Sequence, residues 1–153
     1  MQPRYDAFKA APGALAAMSG LQDYVNKSGL EKSLLELVKT RASQINGCAF
    51  CLHMHTRDAR AQGESEERLY LLDAWRDSSL YTDRERAALA WTEALTNLSD
   101  GHVSDAAYDK VRAHFGEKEL VDLSWAIAAI NAWNRVVIAS RTEAGKYTPG
   151  QHG

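Results

Sequence analysis

Apolar residues return at helical spacing in segment after segment of this chain, and nowhere do they alternate over a sustained run. Across 117–141, Leu120, Leu123, Ile127, Ile130 and Val137 share one side of a long helix. Across 30–45, Leu34, Val38, Ala42 and Ile45 form a stripe, with Leu35 and Leu37 beside it. Earlier, Leu15, Met18, Leu21 and Val25 follow Pro12, a residue suited to a helix's first turn. Side chains on a strand change face at every residue, so this period excludes a sheet. The expected fold is all-α: a single-domain bundle of six to eight helices.

Turn and cap residues divide the bundle. Ser28-Gly29 ends one helix, and Asn46-Gly47 is a strong break, after which a helix runs from near Cys48 to about Gly63. Ser65 can cap a segment with Leu69, Leu72 and Trp75 on its apolar face, interrupted at Asp77-Ser78-Ser79. Thr82-Asp83-Arg84-Glu85 is a capping box. It opens a helix through Leu98 that would bury Ala87 or Ala88, Trp91, Ala94, Leu95 and Leu98. Ser99-Asp100-Gly101 reads as a loop, and Ser104 caps a helix ending at Gly116. Residues 1–11 show no pattern and are expected to wander or pack late. Residues 145–153 read as a flexible tail, so the core of the 1–153 domain spans about 12–141.

The net charge of −2 gives no reason to expect nucleic acid. No stretch approaches the roughly 18 apolar residues of a membrane helix, and MQPRYDAFKAAPG lacks the apolar run of a secretory signal. A cytoplasmic location is the default expectation. In a reducing compartment the two cysteines are not expected to form a structural staple, and a loop of three residues would add little stability.

Those cysteines lie in GCAFCLHMHTRD, residues 47–58. At about 100° per residue, Cys48, Cys51 and His55 fall within an arc of roughly 60° on one helix. Two thiols and an imidazole on one face supply what a redox dithiol needs: a nucleophilic sulfur, a base for its proton, and a second sulfur to close the disulfide. Zinc uses the same C-x-x-C spacing but wants four ligands. His53, on the opposite side of the helix, and His102, His114 and His152 are scattered, so no metal is expected. Cys48, Leu52 and Ala59 could also line a core. His55 and Asp58 on the same arc argue against that, because buried titratable groups need partners. A helix N-terminus favours Cys48 as the attacking thiol, and an imidazole one turn on favours Cys51; the residues alone leave both open.

The stretch ELVKTRASQINGCAFCLHMHTRDAR resembles the core of the AhpD-like alkylhydroperoxidases of the carboxymuconolactone decarboxylase superfamily. Glu36, Cys48, Cys51 and His55 occupy the positions of that family's glutamate and C-x-x-C-x-x-x-H. The resemblance continues through TDRERAALAWTEALT and DLSWAIAAINAWNRVVIA, covering about residues 30–140. It implies a small helical fold assembled as a homo-oligomer, a trimer or hexamer. It also implies reduction of organic hydroperoxides in antioxidant defence, with recycling by a reductant protein, a dithiol or a lipoyl-type reductant. By the same resemblance Cys51 is the peroxidatic thiol, Cys48 resolves it, and His55 and Glu36 serve a proton relay. No metal, flavin or nucleotide is implied. The best-known members carry a histidine just before the second cysteine, where this chain has Phe50.

Glu36 falls on a helical wheel with Lys39, Thr40 and Ser43, away from Leu34 and Val38, which by itself reads as a solvated face. It can serve a relay only if another segment or subunit covers it. Asn131 and Asn134 interrupt the apolar AIAAINAWNRVV and read as structural hydrogen-bonding residues, and the four tryptophans read as packing or interface residues. Two rival functions remain: a lactone decarboxylase, which leaves both cysteines unexplained, and a non-enzymatic redox switch or adaptor.

Overall fold

The computed structural model describes residues 2–150. Among them lie eight α-helices: α1 (Ala7–Ala10), α2 (Pro12–Asn26), α3 (Lys32–Asn46), α4 (Ala49–Ala61), α5 (Glu66–Tyr70), α6 (Asp83–Thr96), α7 (Asp105–Arg112) and α8 (Glu117–Ser140). Short 3₁₀ turns occupy Leu72–Asp77 and Leu98–Asp100. No described residue is in a strand, as the periodicity requires.

The cap chemistry sets the boundaries. Ser65 and Ser104 accept main-chain N–H groups at the starts of α5 and α7, and Thr82 and Glu85 form a reciprocal capping box at α6. Gly47 closes α3 in the left-handed region, φ 66°, where a side chain would be strained. The N–H of Cys48 then returns to the carbonyl of Ser43 at 3.0 Å. Its own carbonyl accepts from Leu52 at 2.9 Å, so a new helix begins one residue later.

Helix α3 is the axle of the bundle, with α4, α6 and α8 packed around it. Every residue from Leu34 to Thr40 is buried, which a helix with one solvent face cannot achieve. Leu34, Leu35 and Val38 join Trp91, Leu123 and Ile127 in the main core, while Leu37 packs with Leu72, Trp75, Tyr81 and Leu89. Burying a leucine this fully is worth about 2 kcal/mol. The polar stripe Glu36, Lys39, Thr40 and Ser43 is buried as well, so the solvated-face expectation fails.

The other departures lie at the edges. Leu98 is exposed rather than core, Ala94, Leu95 and Ile45 are half-buried, and α6 ends at Thr96. Residues 1–11 are not patternless. Asp6 caps α1, the Arg4 main chain and guanidinium donate to Ser140 and Ala139, and Phe8 packs beside Phe50 and Trp133. The tail expectation fails at Tyr147, which is buried; residues 151–153, with His152, lie outside the described residues. No helix among the described residues is long and apolar enough to cross a membrane.

Candidate active site

Cys48 and Cys51 sit at the N-terminus of α4, Cys48 as its N-cap, and both are free thiols at 1% exposure. Ala42 of α3 and Ile130 and Val137 of α8 enclose them, with Phe8, Phe50 and Trp133 packed on the outside. Phe8 stands 6.4 Å, ring centre to ring centre, from both Phe50 and Trp133. Phe50, at the place of the family's histidine, is therefore part of an aromatic roof over the sulfurs.

The two sulfurs are unequal. The Cys51 thiol donates to Cys48, whose proton affinity is lowered to about 7. Burial opposes that shift, while the N–H groups of Cys51 and Phe50 at the helix start and the Asn134 side chain assist it. Cys51 moves the other way, pushed up by the same hydrogen bond and by burial. The pair shares one proton after the first is lost, and the N–H groups of the helix start draw the negative charge toward Cys48.

One turn further along α4, His55 meets Glu36 of α3: Nδ1 lies 3.0 Å from Oε2. Lys39 Nζ holds the other carboxylate oxygen at 2.7 Å. Burial raises the Glu36 proton affinity, but the hydrogen bond from His55 and the charge of Lys39 outweigh it and hold the carboxyl below its usual range. An ionised carboxylate can only accept, so Nδ1 of His55 donates to Glu36 and Nε2 is the nitrogen left free of that bond. The cover over Glu36 comes from α4 of the same chain, without a second subunit.

The cluster is larger than the four residues the sequence singled out. Donor atoms of Glu36, His55 and Asp58 lie within 4.8 Å of one another. That spacing could ligate a divalent cation, but the Lys39 ammonium against Glu36 opposes one. Tyr147 donates its hydroxyl to Asp58 Oδ1 at 2.7 Å. Burial and that bond raise the Tyr147 proton affinity to about 12. Asp58 was visible on the dithiol arc, whereas nothing in the sequence near Tyr147 places it here. Half-buried His53 has no hydrogen-bond partner at its buried Nδ1 and stands outside the cluster. His102 and His114 lie on the surface, so the described histidines do not converge as a zinc site would need.

On the other side of the thiols lies an amide cluster. Asn46 Nδ2 donates to Oδ1 of both Asn131 and Asn134, at 3.0 and 2.9 Å. Asn131 also donates to Thr96, and Asn134 to Ser43. The asparagines thus tie α8 to the C-terminal ends of α3 and α6.

Comparisons with known proteins bear on the family and the fold. Residues 12–94, more than half of the chain, match the carboxymuconolactone decarboxylase family. The uncharacterised protein YdfG of Bacillus subtilis is 41% identical over 144 residues, covering 94% of this chain and 98% of its own. The uncharacterised YnjA of Escherichia coli is 30% identical over 105 residues, 69% of this chain and 57% of its own. A solved protein of unknown function from Agrobacterium tumefaciens, proposed as an antioxidant defence protein AhpD, shares 42% identity at a TM-score of 0.92. It is matched over 95% of this chain and all of its own. The debrominase Bmp8, at 20% identity and a TM-score of 0.80 over 90% of this chain and 74% of its own, shares the fold. On these matches the chain belongs to the AhpD-like carboxymuconolactone decarboxylase family.

Proposed function

We propose that this chain is a thiol-dependent peroxidase that reduces organic hydroperoxides through a Cys48/Cys51 dithiol–disulfide cycle. The observation that carries the reading is the pair itself: two free thiols buried together at a helix start, whose N–H groups lower the proton affinity of Cys48. The Cys48 thiolate attacks the terminal oxygen of the hydroperoxide, the O–O bond breaks, and Cys48 becomes a sulfenic acid. His55 takes up the proton that Cys48 loses on forming the thiolate and returns it to the leaving alkoxide, which departs as an alcohol, with Glu36 supporting the relay. The Cys51 thiol then attacks the sulfenic sulfur, releasing water and closing the disulfide. An external dithiol, lipoyl-type reductant or reductant protein returns two electrons and two protons. The cycle uses no metal, flavin or nucleotide.

A second order of roles, with Cys51 attacking and Cys48 resolving, is favoured by His55 standing one turn on from Cys51 and by the family resemblance. Reduced protein mixed with excess cumene hydroperoxide, followed by stopped flow and intact mass, separates the two. The wild type should lose two hydrogens. Cys51→Ser should stop at a sulfenic acid and Cys48→Ser should be inert; the reverse result assigns the attack to Cys51. If all three react no faster than a free thiol, the peroxidase reading is wrong. Lactone decarboxylation surviving both replacements would support the family's namesake reaction, and an oligomer change without turnover would support a redox switch.

The protein is further proposed to work in the cytoplasm as a homo-oligomer. An apolar groove of about 760 Å³ between α6 and α8 exposes Leu98, Val121 and Trp125, a surface that a second copy would cover. A monomer in light scattering at micromolar concentration would remove this part.

A further inference from the structure

Asn134 is fully buried in the C-terminal half of α8, the helix that the redox chemistry above leaves unused. A side-chain amide offers one acceptor oxygen and two N–H donors. The oxygen accepts from Asn46 at 2.9 Å. One N–H goes to Ser43 Oγ at 3.0 Å. Ser43 has already committed its own proton to the carbonyl of Lys39 at 2.7 Å, so toward Asn134 it can only accept. That fixes which end of the amide is nitrogen and leaves a second N–H to be placed.

The helix says where it goes. Ile130, Asn134 and Val137 lie on one stripe of α8, four and three residues apart, and Ile130 and Val137 pack against Cys48 and Cys51. Asn134 lies on that same stripe, between two residues that pack against the sulfurs, and it lowers the proton affinity of both thiols. An N–H aimed at sulfur from a dry, fixed frame stabilises the anion far more than the neutral thiol. The remaining influences on the thiols are each other, burial and the main-chain N–H groups of Phe50 and Cys51. His55 on α4 and Glu36 and Lys39 on α3 form the charged cluster one turn along.

We propose that Asn134 is a catalytic residue of the dithiol, donating its second N–H to the sulfur that carries the negative charge, with Asn46 and Ser43 holding the amide in that orientation. This rests on the dithiol being the reactive centre; it does not depend on which oxidant reacts there. As charge passes from one sulfur to the other, the same donor can follow it without rearrangement of the helix.

The test uses reduced, full-length protein and no peroxide, so it can fail while the peroxidase reading stands. Iodoacetamide alkylation is followed against pH, with thiolate absorbance read in parallel, for wild type, Asn134→Leu and Asn131→Leu. Asn134→Leu should move the midpoint upward and slow alkylation about tenfold at pH 7, while Asn131→Leu, which loses an amide of the same cluster, should leave the midpoint in place. An unchanged midpoint in folded Asn134→Leu, or equal shifts in both variants, overturns the proposal. If Asn134→Leu does not fold, ¹⁵N side-chain amide resonances of the wild type decide. One Asn134 proton should titrate with the thiol while the other stays still, and this response should disappear in Cys48→Ser. Absence of any titration overturns the assignment.

Discussion

Two polar clusters, each partly buried, lie near the same pair of sulfurs, and they are built from opposite chemistry. On one side Glu36, Lys39, His55, Asp58 and Tyr147 are all titratable, held at 2.7–3.0 Å where they meet. On the other, Ser43, Asn46, Asn131 and Asn134 meet at similar distances, 2.9–3.0 Å, yet carry no charge at any ordinary pH. Helix α3 contributes to both. Protons can move only through the first cluster. The second has no charge to change and is tied by its own hydrogen bonds. A dithiol cycle needs both properties, because the thiols must lose and regain protons without losing their positions.

The sharpest way to break the contrast is Glu36→Ala, which leaves Lys39 and His55 buried without their carboxylate. It should cost about 3–5 kcal/mol in urea unfolding, the scale for half of a broken buried ion pair. Glu36→Gln should cost less and change the acid limb. The native Glu36 carboxyl is held low, so its contribution is full above the usual carboxylate range and disappears as pH falls through the lowered native value. Unfolding of Glu36→Gln should therefore depend less on pH in that acid window; identical acid limbs would refute the pairing.

The amide side should respond differently. Asn46→Ala removes the donor shared by Asn131 and Asn134 and should cost about 1–3 kcal/mol, with the same loss at pH 5 and pH 8. A loss that varies steeply with pH would mean that the two clusters are not separate. A smaller effect is expected at the rim of the charged side. Tyr147→Phe removes one hydrogen bond, about 1 kcal/mol. The native Tyr147 proton affinity is raised to about 12. Its stabilising contribution is therefore present below the ordinary tyrosine value and lost as pH rises toward 12. The variant should be less stable at neutral pH and lose less stability in alkali. Thermal melting at pH 7 and pH 10.5 checks both signs.

The outer aromatic roof offers one more comparison. Phe8 comes from α1, a four-residue helix with no buried residue, whereas Ile130 and Val137 below it belong to α8. Phe8→Ala should speed alkylation of the 1%-exposed thiols by several-fold with little loss of stability, because α1 is the least anchored part of the enclosure. Val137→Ala should instead cost about 1–3 kcal/mol, since it opens space in a packed core.

Much of this was legible in the sequence by itself. The helical period, the Asn46-Gly47 break, the Ser65, Thr82 and Ser104 caps, and the face shared by Cys48, Cys51 and His55 are local properties. Spacing and side-chain chemistry within a few residues determine them. The tertiary structure decided the rest. Glu36 reads as solvent-facing on its own wheel, and only the packing of α4 against α3 turns it into a buried partner of His55. Asn134 reads as a polar interruption until Ser43 and Asn46 arrive to orient it, and Tyr147 reads as tail until it closes on Asp58, 89 residues away. A wheel shows which residues share a face. It cannot show what that face meets, because burial and hydrogen-bond partners come from segments far away in the chain.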